Sequence, residues 1–234
     1  MIFAAGLGTR FKPWTDHHPK ALAVVNGKSL LQRNIEYLQR AGITEVVVNV
    51  HHFAQQIIDA VNENNGWGSF VTISDESESV LETGGGLMHA SRLLDSGPLV
   101  IVNVDVLTDL DLNAMILEHE RGQALATIAV SDRVTSRYFL FDEQMRLCGW
   151  RNKQSGDEKI VRPYGPFVEK AFSGVHVVQP KIFDLITRQG KFSMVDVYLD
   201  LANGNLINGY DHTGSKFIDV GKPGSVTLAE ELFM

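Results

Sequence analysis

A chain of 234 residues, 44% hydrophobic and 21% charged, carries enough apolar material for one large buried core and too much for disorder. Its formal net charge of −7 argues against a general binder of nucleic acid or anionic membrane, so any phosphate it binds must be held by a local cluster of cations. The single cysteine, Cys148, reads as a small buried apolar residue, and the lack of a basic leader or of any run of about 18 apolar residues gives the expectation of a soluble cytoplasmic protein.

The first half alternates strand and helix, the pattern of an α/β fold with a mainly parallel sheet and helices on both faces. Residues 2–5 form a first strand, and the loop from Gly6 to Lys20 follows it directly. Gly6 and Gly8 remove side chains where the backbone leaves the strand, Arg10, Lys12 and Lys20 supply cations, and Pro13 and Pro19 stiffen the segment. Such a loop suits phosphates, but neither of two common phosphate patterns fits. The dinucleotide pattern needs glycine where Phe11 stands, and a Walker A loop ending in Gly27-Lys28-Ser29 needs glycine where Leu22 stands. Asn26-Gly27 is instead a tight turn.

Leu30, Leu31, Ile35 and Leu38 recur at helical spacing and stop at Gly42; a strand over 45–50, a helix around Ile57, Ile58 and Val61, and a strand over 70–74 come next. An acidic, Ser-rich turn then leads to Leu81-Glu82-Thr83-Gly84-Gly85-Gly86. Successive glycines are costly in a helix or strand, and they suit either a flexible hinge or a place where a flat ligand lies on bare backbone at the start of the helix carrying Leu87, Met88 and Leu93. Residues 99–102 make an apolar central strand that ends at Asn103-Val104-Asp105-Val106, where ligands of open α/β sheets bind. A carboxylate there needs a cation or water. Asp109 and Asp111 lie further along and cap the helix around 115–121.

A strand over 124–130 follows, after which short pieces at 138–141 and 146–150 suggest antiparallel hairpins within 131–162. Residues 171–178 form a late strand interrupted by Gly174, with His176 a packed strand histidine, and Ser193 caps a helix over 192–201. Residues 216–221 repeat the earlier logic, a short strand ending in Asp219 and followed by Gly221, and the last helix packs through Thr227, Leu228 and Leu232.

Gly6-x-Gly8-Thr9-Arg10, Pro13 and Pro19-Lys20, with Glu82–Gly86, Asn103–Asp105, Phe172–Gly174 and Asp219–Gly221 in order, resembles the sugar-1-phosphate nucleotidyltransferases over essentially the whole chain. The resemblance implies a single domain over 1–234 with a Rossmann-like three-layer sandwich and an antiparallel sugar-side subregion, residues 1–130 mainly binding nucleotide and 131–234 mainly the sugar phosphate. It implies a nucleoside triphosphate and a sugar 1-phosphate as substrates and Mg²⁺ as cofactor, with Asp105 and Asp219 as metal ligands. Ala5, Gly6, Gly8, Thr9, Arg10 and Lys20 would wrap the triphosphate, Arg10 and Lys20 acting in catalysis, and Thr83, Gly84 and Gly85 would meet the base. Ser173 and Gly174 are the implied sugar contacts.

One departure concerns the Glu-Lys-Pro of many members, whose lysine binds the sugar phosphate. Here Glu169-Lys170 is followed by Ala171, and Lys153 competes for the role. Within the family, the segments around Gly84 and Asp105 look most like N-acetylmuramate-1-phosphate uridylyltransferases, with mannose-1-phosphate guanylyltransferases close and a phosphocholine cytidylyltransferase third. A nucleotide-sensing regulatory subunit is the non-enzymatic alternative. The short C-terminus gives the expectation that no second catalytic or repeat domain is attached. Neither base, sugar nor oligomeric state is legible.

Overall fold

The computed structural model describes every residue except Tyr164. In chain order the elements are β1 (Ile2–Phe3), β2 (Val24–Val25), β3 (Lys28–Ser29), α1 (Leu30–Arg40), β4 (Glu45–Val50), α2 (Ala54–Glu63), β5 (Phe70–Asp75), α3 (Glu82–His89), β6 (Leu99–Asn103) and β7 (Val106–Thr108). There follow α4 (Leu112–Gly122), β8 (Ala126–Ser131), β9 (Arg137–Phe141), β10 (Leu147–Asn152), β11 (Glu158–Ile160), β12 (Val168–Val178), α5 (Ile182–Leu185), α6 (Met194–Leu201), β13 (Ile207–Asp211), β14 (Phe217–Asp219) and α7 (Gly224–Leu232). The chain is α/β, as its alternation of elements predicts, and it divides into two compact units. One comprises Met1–Leu94, Val102–Leu110 and Lys216–Met234, the other Asp95–Ile101 and Asp111–Ser215.

The first unit is built on parallel pairing. β1 lies between β4 and the end of β6, with Ile2 opposite both Val48 and Val102, and β4 pairs with β5. β1, β4 and β6 are apolar and buried on both sides, as a central parallel sheet requires, while β5 is an edge strand that leaves Phe70 exposed. α1 forms because Leu30, Leu31, Ile35 and Leu38 make one fully buried stripe and the Ser29 hydroxyl accepts the Gln32 N–H at its start. It stops before Gly42, which takes φ +79°. Parallel strands end at one edge, so the loops after Phe3 and Asn103 emerge together.

The second unit holds the antiparallel region. β8 pairs antiparallel with β12 and parallel with β13, and β9, β10 and β11 form an antiparallel meander joined to β12 through β9. The register between β12 and β8 shifts between Phe172 and His176, and Gly174 at φ +71° sits inside that bulge. Asp111 caps α4 by accepting the Ala114 N–H, and Ser193 caps α6 by accepting the Asp196 N–H. His176 packs under α6, its Nδ1 2.5 Å from the Tyr198 hydroxyl. Cys148 is fully buried.

One local expectation is corrected. The first strand ends at Phe3 rather than Ala5, because the Ala4 N–H goes to the Asn49 side chain. Gly84, Gly85 and Gly86 lie in the first turns of α3, the helix that carries Leu87 and Met88, and Leu93 follows it in a 3₁₀ turn over Ala90–Leu93. Among the described residues no helix is long and apolar enough to cross a membrane.

Candidate functional site

The Gly6–Lys20 loop is a chain of three short 3₁₀ turns, at Thr9–Phe11, Trp14–Asp16 and Lys20–Leu22. Gly8 takes φ +60°, and a Cβ there would come within 2.8 Å of the Thr15 side chain and 3.2 Å of Lys20 Cβ. Its carbonyl accepts both the Phe11 N–H at 2.7 Å and the Thr15 hydroxyl at 3.0 Å, while Phe11 is buried as the anchor. Gly6 is exposed with open space where its Cβ would stand, so its backbone can be approached closely. Lys12 is turned to a surface pair with Asp16 at 2.8 Å, leaving the half-buried Lys20 and Arg10, itself exposed but beside Gly221, as the loop's other cations.

A cavity of about 190 Å³ is lined by Gly6, Gly8, Lys20, Thr83, Asn103 and Asp105, with Phe3, Ala4 and Val104 as its apolar floor. Three segments that sequence placed far apart therefore share one space. The Lys20 ammonium is ion-paired with Asp105 Oδ2. Asn103 Oδ1, aimed from the end of β6, is buried without a hydrogen-bond partner among the described residues. An orphaned acceptor of this kind, in a lined cavity, is suited to a ligand donor.

β-pairing brings the backbone around Asp219 beside that of Asp105. β14 runs antiparallel to β7 with Asp219 opposite Val106, and the Val220 N–H donates to the Asp105 carbonyl at 2.8 Å. A Cβ added at Gly221 would lie 2.8 Å from Asp219 Oδ1 and 3.1 Å from Arg10 Nη2, so glycine is needed for the carboxylate and the guanidinium to approach that backbone. Asp109 and Asp111 have other work: Asp109 accepts the Lys216 N–H at 2.7 Å, and Asp111 caps α4. Among the described residues no group of three or more His, Cys, Asp or Glu gathers to hold a metal. Asp105 and Asp219, carried on neighbouring segments, are of the chemistry that suits Mg²⁺, which favours carboxylate oxygen and keeps several of its waters.

The glycine run has a buried polar clasp beneath it. Asn49, from β4, accepts the Ala4 N–H at 2.7 Å and donates through Nδ2 to Glu76 Oε1 at 2.7 Å; both side chains are buried. A Cβ on Gly86 would lie 2.6 Å from Glu76 Oε1 and 2.8 Å from Asn49 Nδ2. Burial pushes the Glu76 carboxyl above the ordinary carboxylate range, with the Asn49 amide acting against that shift. Glu82 opens α3 at φ +59°, a strained conformation of the kind found at ligand sites, and Thr83 follows it into the cavity while Gly84 and Gly85 are buried. Neither Asn49 nor Glu76 was singled out by sequence; a lone Asn inside Val46-Val47-Val48-Asn49-Val50 was the available signal.

In the second unit, Glu169 is paired with Arg151 at 2.6 Å and Lys153 at 2.5 Å, whereas Lys170, next in sequence, points to the other face of β12. Lys170 Nζ is held by Asp132 at 2.7 Å and Asp211 at 2.5 Å, and its side chain is only 9% exposed. Lys153 is 53% exposed and lies over the Tyr138 ring. Ser173 is buried, 2.7 Å from His212 Nε2, and Gly174 is the bulge residue. A separate cavity of about 440 Å³ opens between β10 and α6, where Trp150, Arg137 and Ser193 line it.

Residues 1–227 match the nucleotidyl transferase family. The N-acetylmuramate alpha-1-phosphate uridylyltransferase of Neisseria meningitidis serogroup B is 32% identical over 227 residues, which cover 94% of this chain and 92% of that protein. The enzyme of the same name from Caulobacter vibrioides is 32% identical over 240 residues, covering 98% of this chain and 94% of the relative. Among solved structures, HddC from Yersinia pseudotuberculosis in complex with GMP-PN superimposes with a TM-score of 0.81 at 26% identity, over 100% of this chain and 98% of that one.

Proposed function

The chain belongs to the nucleotidyl transferase family and is a sugar-1-phosphate nucleotidyltransferase, and from that premise we propose that it joins UTP to N-acetylmuramate 1-phosphate. An oxygen of the sugar phosphate attacks the α-phosphorus of UTP, the bond to the β-phosphate oxygen breaks, and pyrophosphate leaves. The observation that carries this reading is the shared cavity of Gly6, Gly8, Lys20, Thr83 and Asp105, with Arg10 and Asp219 meeting at Gly221. The choice of UTP and an amino-sugar phosphate rests on the two relatives at 32% identity.

Both substrates are anions, so the protein must hold them in line against their repulsion, which positioning and fixed charge supply without a nucleophilic side chain. The backbone of Ala5, Gly6, Gly8 and Thr9 cradles the triphosphate, Lys20 steadies the reacting phosphate, and Arg10 neutralises charge growing on the departing pyrophosphate. Asp105 and Asp219 would hold Mg²⁺, which when bound acts as a Lewis acid and template at the phosphates. Thr83, Gly84 and Gly85 take the edge of the base. On the acceptor side Ser173 and Gly174 on β12 meet the sugar. Lys153 serves the sugar phosphate beside Glu169, because Lys170 is already committed to two carboxylates.

The test is pyrophosphate release with each of the four nucleoside triphosphates against N-acetylmuramate 1-phosphate, N-acetylglucosamine 1-phosphate, mannose 1-phosphate and phosphocholine. UTP with N-acetylmuramate 1-phosphate should give the highest kcat/KM. A higher value for GTP with mannose 1-phosphate would replace the substrate pair, a reading favoured by the likeness to HddC with its guanine nucleotide. No turnover with any pair would leave a nucleotide-sensing role.

A further inference from the structure

The buried clasp under the glycine run joins two segments that line the phosphate-loop cavity from different sides. The Ala4 N–H donates to Asn49 Oδ1 at 2.7 Å and Asn49 Nδ2 donates to Glu76 Oε1 at 2.7 Å, so one amide side chain connects the strand end that opens the Gly6–Lys20 loop to the turn that leads into α3. The backbone of Glu76 is itself pinned: its N–H donates to the Val50 carbonyl at 2.8 Å, and its carbonyl lies 2.7 Å from His51 Nδ1 and accepts the Ser79 N–H at 3.1 Å. α3 rests on the carboxylate, since a Cβ on Gly86 would lie 2.6 Å from Glu76 Oε1. Burial pushes the Glu76 pKa up, and the Asn49 amide and the Leu81 N–H, two positions before Thr83, act against that shift. Neither Asn49 nor Glu76 lines the cavity that Gly6, Gly8, Lys20, Thr83 and Asp105 share, and both are buried, so they can act on a ligand only through the backbone they hold.

Two apolar side chains would fill the same space without the cost of desolvating a carboxylate. What the polar pair adds is direction, because a hydrogen bond fixes both the distance and the angle between the segments it joins. We propose that Asn49 and Glu76 are positioning residues that set the separation of the phosphate loop from the start of α3, so that the triphosphate and the base of one nucleotide reinforce each other's binding. Joining two half-ligands adds affinity only when both subsites stand at the spacing the join can span. Loosening the clasp leaves each subsite its own contacts and spoils that spacing. This rests on the reading of the chain as a nucleotidyltransferase whose nucleotide lies with its phosphates at Gly6–Lys20 and its base at Thr83, Gly84 and Gly85.

Calorimetry with the four nucleoside triphosphates first identifies the one the wild type binds most tightly. That nucleotide, its nucleoside and inorganic triphosphate are then measured against the wild type, Glu76→Gln, Glu76→Met and Asn49→Leu. Glu76→Gln keeps an acceptor for the Asn49 amide and should stay within about twofold for all three ligands. Glu76→Met fills the same space without accepting; it and Asn49→Leu should weaken the whole nucleotide about tenfold, with the loss in turnover assays falling on KM more than on kcat, while the nucleoside and inorganic triphosphate stay within about twofold. Losses of equal size for the nucleotide and for either fragment, or no loss for the nucleotide, would overturn the inference while the reaction class stands. A tightest nucleotide other than UTP would replace the proposed substrate pair alone, and binding of no nucleotide by the wild type would overturn both readings. Thermal melts establish that each variant is folded at the assay temperature. Should either single apolar variant melt below it, the double variant Glu76→Met with Asn49→Leu, which leaves no orphaned side-chain amide, takes its place in the same comparison.

Discussion

Gly86→Ala tests whether the glycine run is set by packing under α3. In an ordinary helix interior the change stabilises, by about 1 kcal/mol on propensity. Here the new methyl would sit 2.6 Å from Glu76 Oε1 and 2.8 Å from Asn49 Nδ2, closer than Cβ contacts occur. Neither neighbour has room to retreat: Glu76 is 3% and Asn49 2% exposed, and Asn49 is held by the Ala4 N–H. Overpacking costs about 1–3 kcal/mol and breaking a buried hydrogen bond to a carboxylate about 1.5–3 kcal/mol. Against the propensity gain, the net is a loss of about 2 kcal/mol, which for a chain of this size lowers Tm by roughly 4–8 °C. A double-mutant cycle with Glu76→Ala isolates the cause, because removing the carboxylate should make Gly86→Ala nearly neutral and leave a coupling of about 2 kcal/mol. The Ala4 N–H leads directly into the phosphate loop, so Gly86→Ala should also raise the KM for nucleotide. Thermal melts showing Gly86→Ala as stable as the wild type would refute the packing account.

Asp105→Asn or Asp219→Asn should each reduce turnover at least about a hundredfold while folding survives, as expected for losing a metal ligand, and near-normal Mg²⁺-dependent rates in either protein would remove that residue from the site. Arg10→Ala should lower kcat more than it raises KM for nucleotide, because its charge is needed most as pyrophosphate departs; steady-state kinetics showing a change in KM alone would contradict that role. His119 is fully buried between Thr127 and Gln179, and burial lowers its pKa from 6.5 to about 4. A base depressed in the fold lends stability that is present above its unfolded value and lost as pH falls toward the folded one, so about 2 kcal/mol should go between about pH 7 and pH 5. Melting curves should show that fall, and a His119→Gln variant that loses as much over the same range would point elsewhere.

What the sequence determined by itself is local. The order Gly6, Gly8, Arg10, Pro13, Pro19 and Lys20 specifies a stiff, cation-bearing turn because backbone freedom, fixed φ and charge act over a few residues. The stripe Leu30, Leu31, Ile35 and Leu38 specifies a helix, and Asp105 and Asp219 are legible as acids at strand ends, each by its own short pattern. Nothing in those patterns says that the segments carrying the two acids lie next to each other. That is decided by the antiparallel pairing of Phe217–Asp219 with Val106–Thr108, a contact between segments more than a hundred positions apart. Glu169 and Lys170 make the same point in reverse: adjacent in sequence, they face opposite sides of a strand, one to Arg151 and Lys153 and the other to Asp132 and Asp211. The glycine run could be recognised as unusual, but its cause at Gly86, the Asn49–Glu76 clasp, lies on two other strand ends. Conformational preference travels along the chain a few residues at a time, whereas pairing, burial and charge balance are fixed only when distant segments share one space.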